Sequence, residues 1–310
     1  MNSRFRASGA TLVAALATAV LLLSGCASAG TDANGAGASE SSTAAGEART
    51  WAQIEESGVL RVGTITDYPP NEFKTADGAP TGWAVELVEA IAADLGLDVE
   101  YELLLFDNIL PRIQGGAIDL GVGSFTDTLE RQDVVDFVNY YEAGSLWAAP
   151  AGSTIDPEQA CGLKVAVMTG GTQQLVELPA RSEACEAAGD EPIEILPFTG
   201  QPEVTNAVVL GQADAFSADS PVTIDAVGAL DGRLEVVGSM FDTAPYGFPI
   251  TKDSELAEKV QASLQRLIDD GTYLALLKKY NSESGAIEQA TINAGSDQHS
   301  SLYAHLWETL

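Results

Sequence analysis

Basic residues are scarce in this 310-residue chain: Lys and Arg total 15 against 45 Asp and Glu, a formal net charge of −30. So acidic a surface repels phosphate backbones, which excludes nucleic acid as a partner. It favours solubility and says little about the fold. Cysteine is nearly absent, with only Cys26, Cys161 and Cys185, and the two histidines, His299 and His305, stand near the C-terminus. A lone Cys pair with two distant His has no metal-ligand spacing, so no metal site is expected. No Ser-His-Asp set and no phosphate-cradling Gly-Lys loop stand out. No cofactor is expected. No stretch is apolar for long enough to make a confident membrane span, and no short-period repeat occurs.

What is present begins with a targeting segment. Arg4 and Arg6 give a positive start, Ala10 to Leu23 is apolar, and Leu23-Ser24-Gly25-Cys26 matches the bacterial lipobox. Residues 1–26 therefore read as a lipoprotein signal peptide, cleaved before Cys26 and lipidated on its sulfur. The chain is then expected outside the cytoplasm, lipid-anchored to the outer face of the cell membrane. Residues 27–50 are Gly, Ala, Ser, Thr and a few acids, and read as a disordered tether.

From Trp51 the pattern becomes βα, and with 45% hydrophobic residues the chain can fill one or two domains. Val59 to Thr64 reads as a strand. Thr81 to Leu95 reads as a helix with Trp83, Leu87, Val88 and Ile91 on one face. Val99 to Leu103 is a strand, Asp107 to Gln114 a helix capped by Asp107, and Ile118 to Val122 a strand. A second series starts near Leu163: strands at Lys164–Met168, Ile193–Leu196, Asp214–Phe216 and Leu234–Val237, with helices opening at Thr172, Val204 and Pro221. Helices from Ser254 and from Tyr273 close the pattern. Strands alternating with helices imply an α/β fold with mainly parallel sheets. Cys161 and Cys185, an even pair in an exported chain, read as a disulfide.

Residues 119–137 carry the most chemistry. Past the Ile118–Val122 strand come Ser124, Thr126 and Thr128, then Arg131. Hydroxyls plus one guanidinium past a strand's carboxyl end suit a small carboxylate. The plainer alternative is that Thr128 caps a short helix and Arg131 pairs with Glu130 or Asp133 on the surface.

This stretch, with Phe137 and Tyr141, resembles the extracellular solute-binding proteins of family 3, the amino-acid receptors of ABC importers. The resemblance continues in Leu60-Arg61-Val62-Gly63-Thr64, Tyr68-Pro69-Pro70, Thr81-Gly82-Trp83, Gly170-Gly171-Thr172-Gln173, Gly211 to Asp219, Ala244-Pro245-Tyr246-Gly247 and Asp270-Gly271-Thr272-Tyr273. It covers roughly Trp51 to Asn293 in the family's order, and the order makes it specific. It implies a two-lobed periplasmic-binding-protein-like fold of type II, with a ligand cleft between lobes. Lobe 1 would be 51–143 with 244–293, lobe 2 would be 144–243, and 294–310 a tail. The partners implied are a free amino acid and a membrane permease, and the receptor would be a monomer.

In such a cleft Arg131 would grip the ligand carboxylate, helped by Thr126, by the hydroxyl or N–H of Ser124 and Thr172, and by the turn at Gly170. Asp219 would hold the ammonium, its alternative role being to cap the helix at Pro221. Tyr68 would cover the ligand side chain, or simply pack in the core. Receptors of this family for basic amino acids carry an acid directly after the Gly-Thr that ends the first strand. Here that position is Ile65, so a polar or apolar ligand is expected rather than a cationic one, although Asp67 is close by. Asn71, Ala84 and Tyr140 also depart from the family's usual residues. Two other classes stay open: a cleft enzyme resembling cyclohexadienyl dehydratases, with Glu142 or Asp127 as general acid, and a sensor domain.

Overall fold

A computed structural model of the chain describes residues 47–295. The signal peptide expected over 1–26, with Cys26, lies outside the described residues, as do most of the expected tether and tail. The last residues of the expected tether are folded. Arg49 donates to both carboxylate oxygens of Asp119 and, at 2.9 Å, to Val59 O. Thr50 caps the first helix, α1 (Trp51–Ser57), in a reciprocal exchange with Gln53. Composition hid this because Arg49, which joins Arg61 in pairing with the buried Asp119, lies in a polar, small-residue run. The start of the tail is folded too: the Gly295 N–H donates to Asp127 Oδ2 at 2.9 Å.

The first βα series follows. It comprises β1 (Val59–Thr64), a hairpin of β2 (Phe73–Lys74) and β3 (Pro80–Thr81), α2 (Trp83–Asp94), β4 (Asp98–Leu103), α3 (Phe106–Gln114) and β5 (Leu120–Val122). Helix α2 starts at Trp83 because Pro80 and Thr81 are paired with β2, and it buries Trp83, Leu87, Val88 and Ile91 as its spacing predicts. Helix α3 starts one residue before Asp107, on Leu105, without a side-chain cap. The short β6 (Phe125–Thr126) and α4 (Leu129–Gln132) lead into β7 (Val135–Pro150).

The second series is β8 (Lys164–Met168), a π-turn over Gln173–Glu177, α5 (Leu178–Ala188), β9 (Glu194–Phe198), α6 (Gln201–Val209), β10 (Ala215–Asp219), α7 (Ser220–Ala229) and β11 (Leu234–Thr251). Helices α8 (Glu255–Asp269) and α9 (Thr272–Lys279) pack back on α2, and β12 (Thr291–Ile292) adds to β7.

The main sheet runs β4-β1-β5-β11-β7-β10-β8-β9. At one end β4, β1 and β5 are parallel, and at the other β10, β8 and β9 are parallel. Between them β7 and β11 pair antiparallel along nearly their whole length, so each belongs to both lobes. This long pair is absent from the sequence reading, which places a strand only at Leu234–Val237. Almost every residue of β7 is buried, so the alternation that marks a half-exposed strand is lost. The ladder breaks register between Val237 and Phe241 and between Phe241 and Ala244.

One core, including Leu60, Val62, Trp83, Ile91 and Leu264, lies under α2 and α8. Another, around Trp147, Val167, Leu178 and Ala215, lies under α5. A third joins Ile65, Phe106 and Phe125 to Ala166, Phe216 and Val222, so it draws on both series. Cys161 and Cys185 are bonded with Cα atoms 5.6 Å apart, tying the segment before β8 to α5 as expected.

Candidate ligand-binding site

Two pairs of parallel strands, β1 with β5 and β8 with β10, run in opposite directions and end at one place. The loop after β1 carries Tyr68, the turn after β5 carries Ser124, the turn after β8 carries Gly170 to Thr172, and β10 ends on Asp219. In open α/β sheets the crevice outside the strands' carboxyl ends is where ligands bind.

Arg131 projects from α4. Its Nη1 donates to Thr126 O at 2.8 Å and its Nη2 to Gly170 O at 3.1 Å. Those donors go to one carbonyl before α4 and one after β8 rather than to Glu130 or Asp133. The guanidinium lies 5.5 Å from the Phe106 ring centre and 5.4 Å from that of Phe125, against which Phe106 stacks at 4.2 Å. Burial lowers its pKa to about 10, with Asp219 opposing, so it stays charged at neutral pH. Thr128 takes the plainer role anticipated for it: its hydroxyl accepts from the Arg131 N–H and caps α4.

Asp219 is buried opposite. Its Oδ2 accepts from the Tyr68 hydroxyl at 2.8 Å and its Oδ1 from Gln173 Nε2 at 2.8 Å. It occupies the cap position of α7 without making a side-chain cap bond. Burial raises its pKa; the neighbouring donors and Arg131 oppose this. Tyr68 is thus more than packing: it ties the first lobe's loop to the second lobe's strand end.

A second buried carboxyl stands nearby. Glu72 is fully buried, and its two oxygens accept from the Ser124 hydroxyl at 3.0 and 3.1 Å. Ser124 in turn accepts from Asn71 Nδ2 at 2.8 Å, and Asn71 Oδ1 accepts from the Trp83 indole at 2.7 Å. Ser124 holds φ at 53°, a left-handed geometry that aims its hydroxyl at Glu72. Burial holds the Glu72 pKa well above the usual carboxylate range; Asp219 adds to the rise. Among the described residues no Lys or Arg pairs with Glu72. The hydroxyls of Tyr140 and Tyr246 are buried beside these carboxyls. Each has its pKa raised, first by burial and then by a carboxylate, Glu72 for Tyr140 and Asp219 for Tyr246.

Of the residues expected at the site, Tyr68, Ser124, Thr126, Arg131, Thr172 and Asp219 line one cavity. Gly170 is not on its wall, but its carbonyl holds Arg131. The cavity measures only about 10 Å³, room for a single water. Phe106, Met168 and Gln173 line it unforeseen; Gln173 was visible only as part of a turn motif. Ile65 packs in the shared core and is not on the wall. The two acids considered for catalysis are elsewhere. Asp127 is spent on Gln132, Asn139 and the Gly295 N–H, and Glu142 is exposed on β7. Among the described residues no cluster of His, Cys, Asp and Glu could hold a metal ion, and no helix is long and apolar enough to cross a membrane.

Known proteins are similar to this chain in sequence and fold. The Corynebacterium glutamicum arginine-binding protein ArgT is 40% identical over 242 residues, 77% of this chain and 80% of that protein. The ABC transporter glutamine-binding protein GlnH of Bacillus subtilis is 29% identical, over 86% of this chain and 95% of its own. An ancestral arginine-binding protein solved with arginine superposes with a TM-score of 0.66 at 33% identity, covering 72% of this chain and 98% of that one. An ancestral amino-acid-binding precursor of cyclohexadienyl dehydratase superposes at 0.64 with 34% identity, over 74% and 98%. The two-lobed periplasmic-binding fold of type II is therefore the fold of this chain. The sequence pattern of one family matches residues 60–283, and with it the chain belongs to the bacterial extracellular solute-binding proteins, family 3.

Proposed function

We propose that the chain captures a free L-amino acid between its lobes and hands it, chemically unchanged, to the permease of an ABC importer. One observation carries this: Arg131 and Asp219, a donor for a carboxylate and an acceptor for an ammonium, line the same cavity. Thr126, Thr172 and the backbone N–H of Ser124 assist Arg131, the Ser124 hydroxyl being engaged by Glu72. Tyr68 covers the ligand and orients Asp219.

The side chain recognised is cationic, with L-arginine the first candidate. Glu72 and Asp219 are two buried carboxyls, and Arg131 acts on Asp219 alone of the two, so a bound guanidinium offsets the imbalance. The arginine-binding relatives support the same reading. The expectation drawn from Ile65 points the other way, and titration decides between them.

Capture requires opening, because an amino acid does not fit in 10 Å³. The lobe boundaries proposed are 143/144 and 243/244, and the register shift between Phe241 and Ala244 in the β7–β11 ladder supports them. Gly144 stands at this point; a Cβ there would meet Phe241 O at 2.6 Å and Met240 Cγ at 2.7 Å. The hinge is thus a pair of strands rather than a flexible linker. Cys26 anchors the receptor to the membrane surface, and it works as a monomer without catalytic turnover.

Native mass spectrometry of protein purified without refolding, followed by calorimetric titration with L-arginine, L-lysine, L-glutamine, L-glutamate and L-leucine, tests this. A retained amino acid and tightest binding of L-arginine are expected. Binding of none of them, or turnover of prephenate or arogenate, overturns the reading.

A further inference from the structure

The polar contacts of the π-turn form a pattern that the binding role leaves unused. Ser145 and Asp219 are directly opposed in the β7–β10 ladder, and so are Trp147 and Ser217, one rung further along the same face. Gln173, at the head of the π-turn, donates through Nε2 to both members of the first rung: Asp219 Oδ1 at 2.8 Å and Ser145 Oγ at 3.0 Å. Glu177, at its foot, takes both members of the second. Its Oε1 accepts from the Trp147 indole at 2.7 Å and its Oε2 from the Ser217 hydroxyl at 2.7 Å. One short turn is therefore pinned at both ends to the same two strands.

Glu177 lies off the cavity wall and is only 3% exposed, as befits a member of the lobe's interior. Single π-turns cluster where a chain must hold an unusual geometry for function. This one carries Thr172 and Gln173 to the cleft, and its foot is an acid where an apolar residue would fill the core at less desolvation cost.

We propose that Glu177 is a positioning residue for the ligand site: by gripping the Ser217–Trp147 rung it fixes the π-turn, so that Gln173 stays on the Ser145–Asp219 rung and holds Asp219 in its ligand-binding orientation. The grip is strongest when Glu177 is ionised. A carboxylate accepts from both rung members and pairs with Arg181, whose Nε lies 3.3 Å from Oε1. When Glu177 is protonated, Ser217 must turn round to accept, and Arg181 loses the charge it faces.

Charged groups meet Glu177 from each neighbouring element. Arg181 comes from α5, itself held by Pro157 O and Glu158; Asp242 comes from β11; and Asp219 lies two residues along β10 from Ser217. Burial pushes the Glu177 carboxyl up to about 7; Ser217, Arg181 and Trp147 oppose this and Asp242 adds to it. The grip therefore changes strength within the ordinary pH range.

The inference rests on the amino-acid-binding reading for its ligand but not for its test. In wild-type protein, Glu177→Gln and Ser217→Ala, the indole N–H of Trp147 and the side-chain amide of Gln173 are followed by NMR from pH 5.5 to 8.5. L-arginine and L-glutamine affinities are measured across the same range. In wild type both resonances titrate together with a midpoint near 7. Neither titrates in Glu177→Gln. In Ser217→Ala, which removes a donor to the carboxylate, the midpoint moves up for both. Whichever ligand binds does so at least about fivefold more weakly at pH 8 in Glu177→Gln than in wild type, and the two proteins converge at pH 5.5. A Gln173 resonance that ignores the Trp147 titration, or parallel affinity profiles for wild type and Glu177→Gln, overturns the inference. Failure of wild type to bind any amino acid would instead sink the function proposed above, and the two resonances would still decide the coupling.

Discussion

The phenol of Tyr68 and the carboxylate of Asp219, 151 residues apart in the chain, meet at 2.8 Å across the cleft. Burial, with Asp219 beside it, holds the Tyr68 phenol well above its ordinary pKa, so it remains a donor. Tyr68→Phe keeps the ring and removes that donor. A hydrogen bond to a charged group contributes about 1.5–3 kcal/mol, so ligand affinity should fall roughly 10- to 100-fold. Calorimetric titration checks this, and unchanged affinity would show that the tie does not matter to the bound state.

Arg131 is held by two carbonyls and two rings, so both its charge and its planar shape are used. Arg131→Ala should weaken binding by about 2–5 kcal/mol, roughly 30-fold to several-thousand-fold. Arg131→Lys should bind poorly as well, because an ammonium cannot reproduce the fork. Normal affinity in both variants removes Arg131 from the carboxylate-binding role.

Under the cationic assignment proposed above, Glu72 supplies the counter-charge to the ligand. Burial raises its carboxyl pKa well above the ordinary value and so favours the protonated form. A bound guanidinium would restore its ionised form and expel a proton, so L-arginine affinity should rise with pH, by at most about tenfold per unit for one proton. Calorimetry in buffers of different ionisation enthalpy should register proton release with L-arginine and none with L-glutamine. Glu72→Gln should abolish the release and favour L-glutamine. If L-glutamine binds wild type more tightly and no proton leaves, the Ile65 expectation stands and the cationic assignment falls.

Stability of the ligand-free protein should decline as pH rises. Glu72, Asp219 and Glu177 all have folded-state pKa values raised by burial, that of Glu177 to about 7 from an ordinary 4.5. Between those limits the folded state binds more protons than the unfolded one, so raising the pH favours unfolding. Self-repulsion of a chain with a net charge of −30 acts in the same direction. The melting temperature should be higher at pH 5.5 than at pH 8, and Glu177→Gln should narrow the gap. A melting temperature that rises over this interval contradicts the account.

Much of the site was legible because its residues sit at strand ends and turns in a recognisable order. Tyr68, Arg131 and Asp219 stand out through the family resemblance, each with a plainer local alternative, and folding brings them to one cavity. Glu72 was not legible. An acid beside Asn71 in a polar loop reads as surface, and only the left-handed turn at Ser124 reveals that it is sealed in. Glu177 was hidden similarly, since a helix-like segment gives no sign that its foot meets a ladder rung. The side chain of Ile65 packs in the shared core, and titration decides whether the expectation drawn from it holds. The long pair of β7 and β11 was missed for want of alternation, although Tyr246-Gly247 and Phe137 within it were noticed as motif residues.

That pair has a thermal consequence. Each strand contributes hydrogen bonds to both lobes, and the core around Phe106, Phe125 and Phe216 draws side chains from both. Melting either lobe would strip the other of its central ladder and part of its interior. The lobes are consequently joined in cooperativity as well as in sequence: heating should give one calorimetric transition, its van't Hoff and calorimetric enthalpies equal, rather than two.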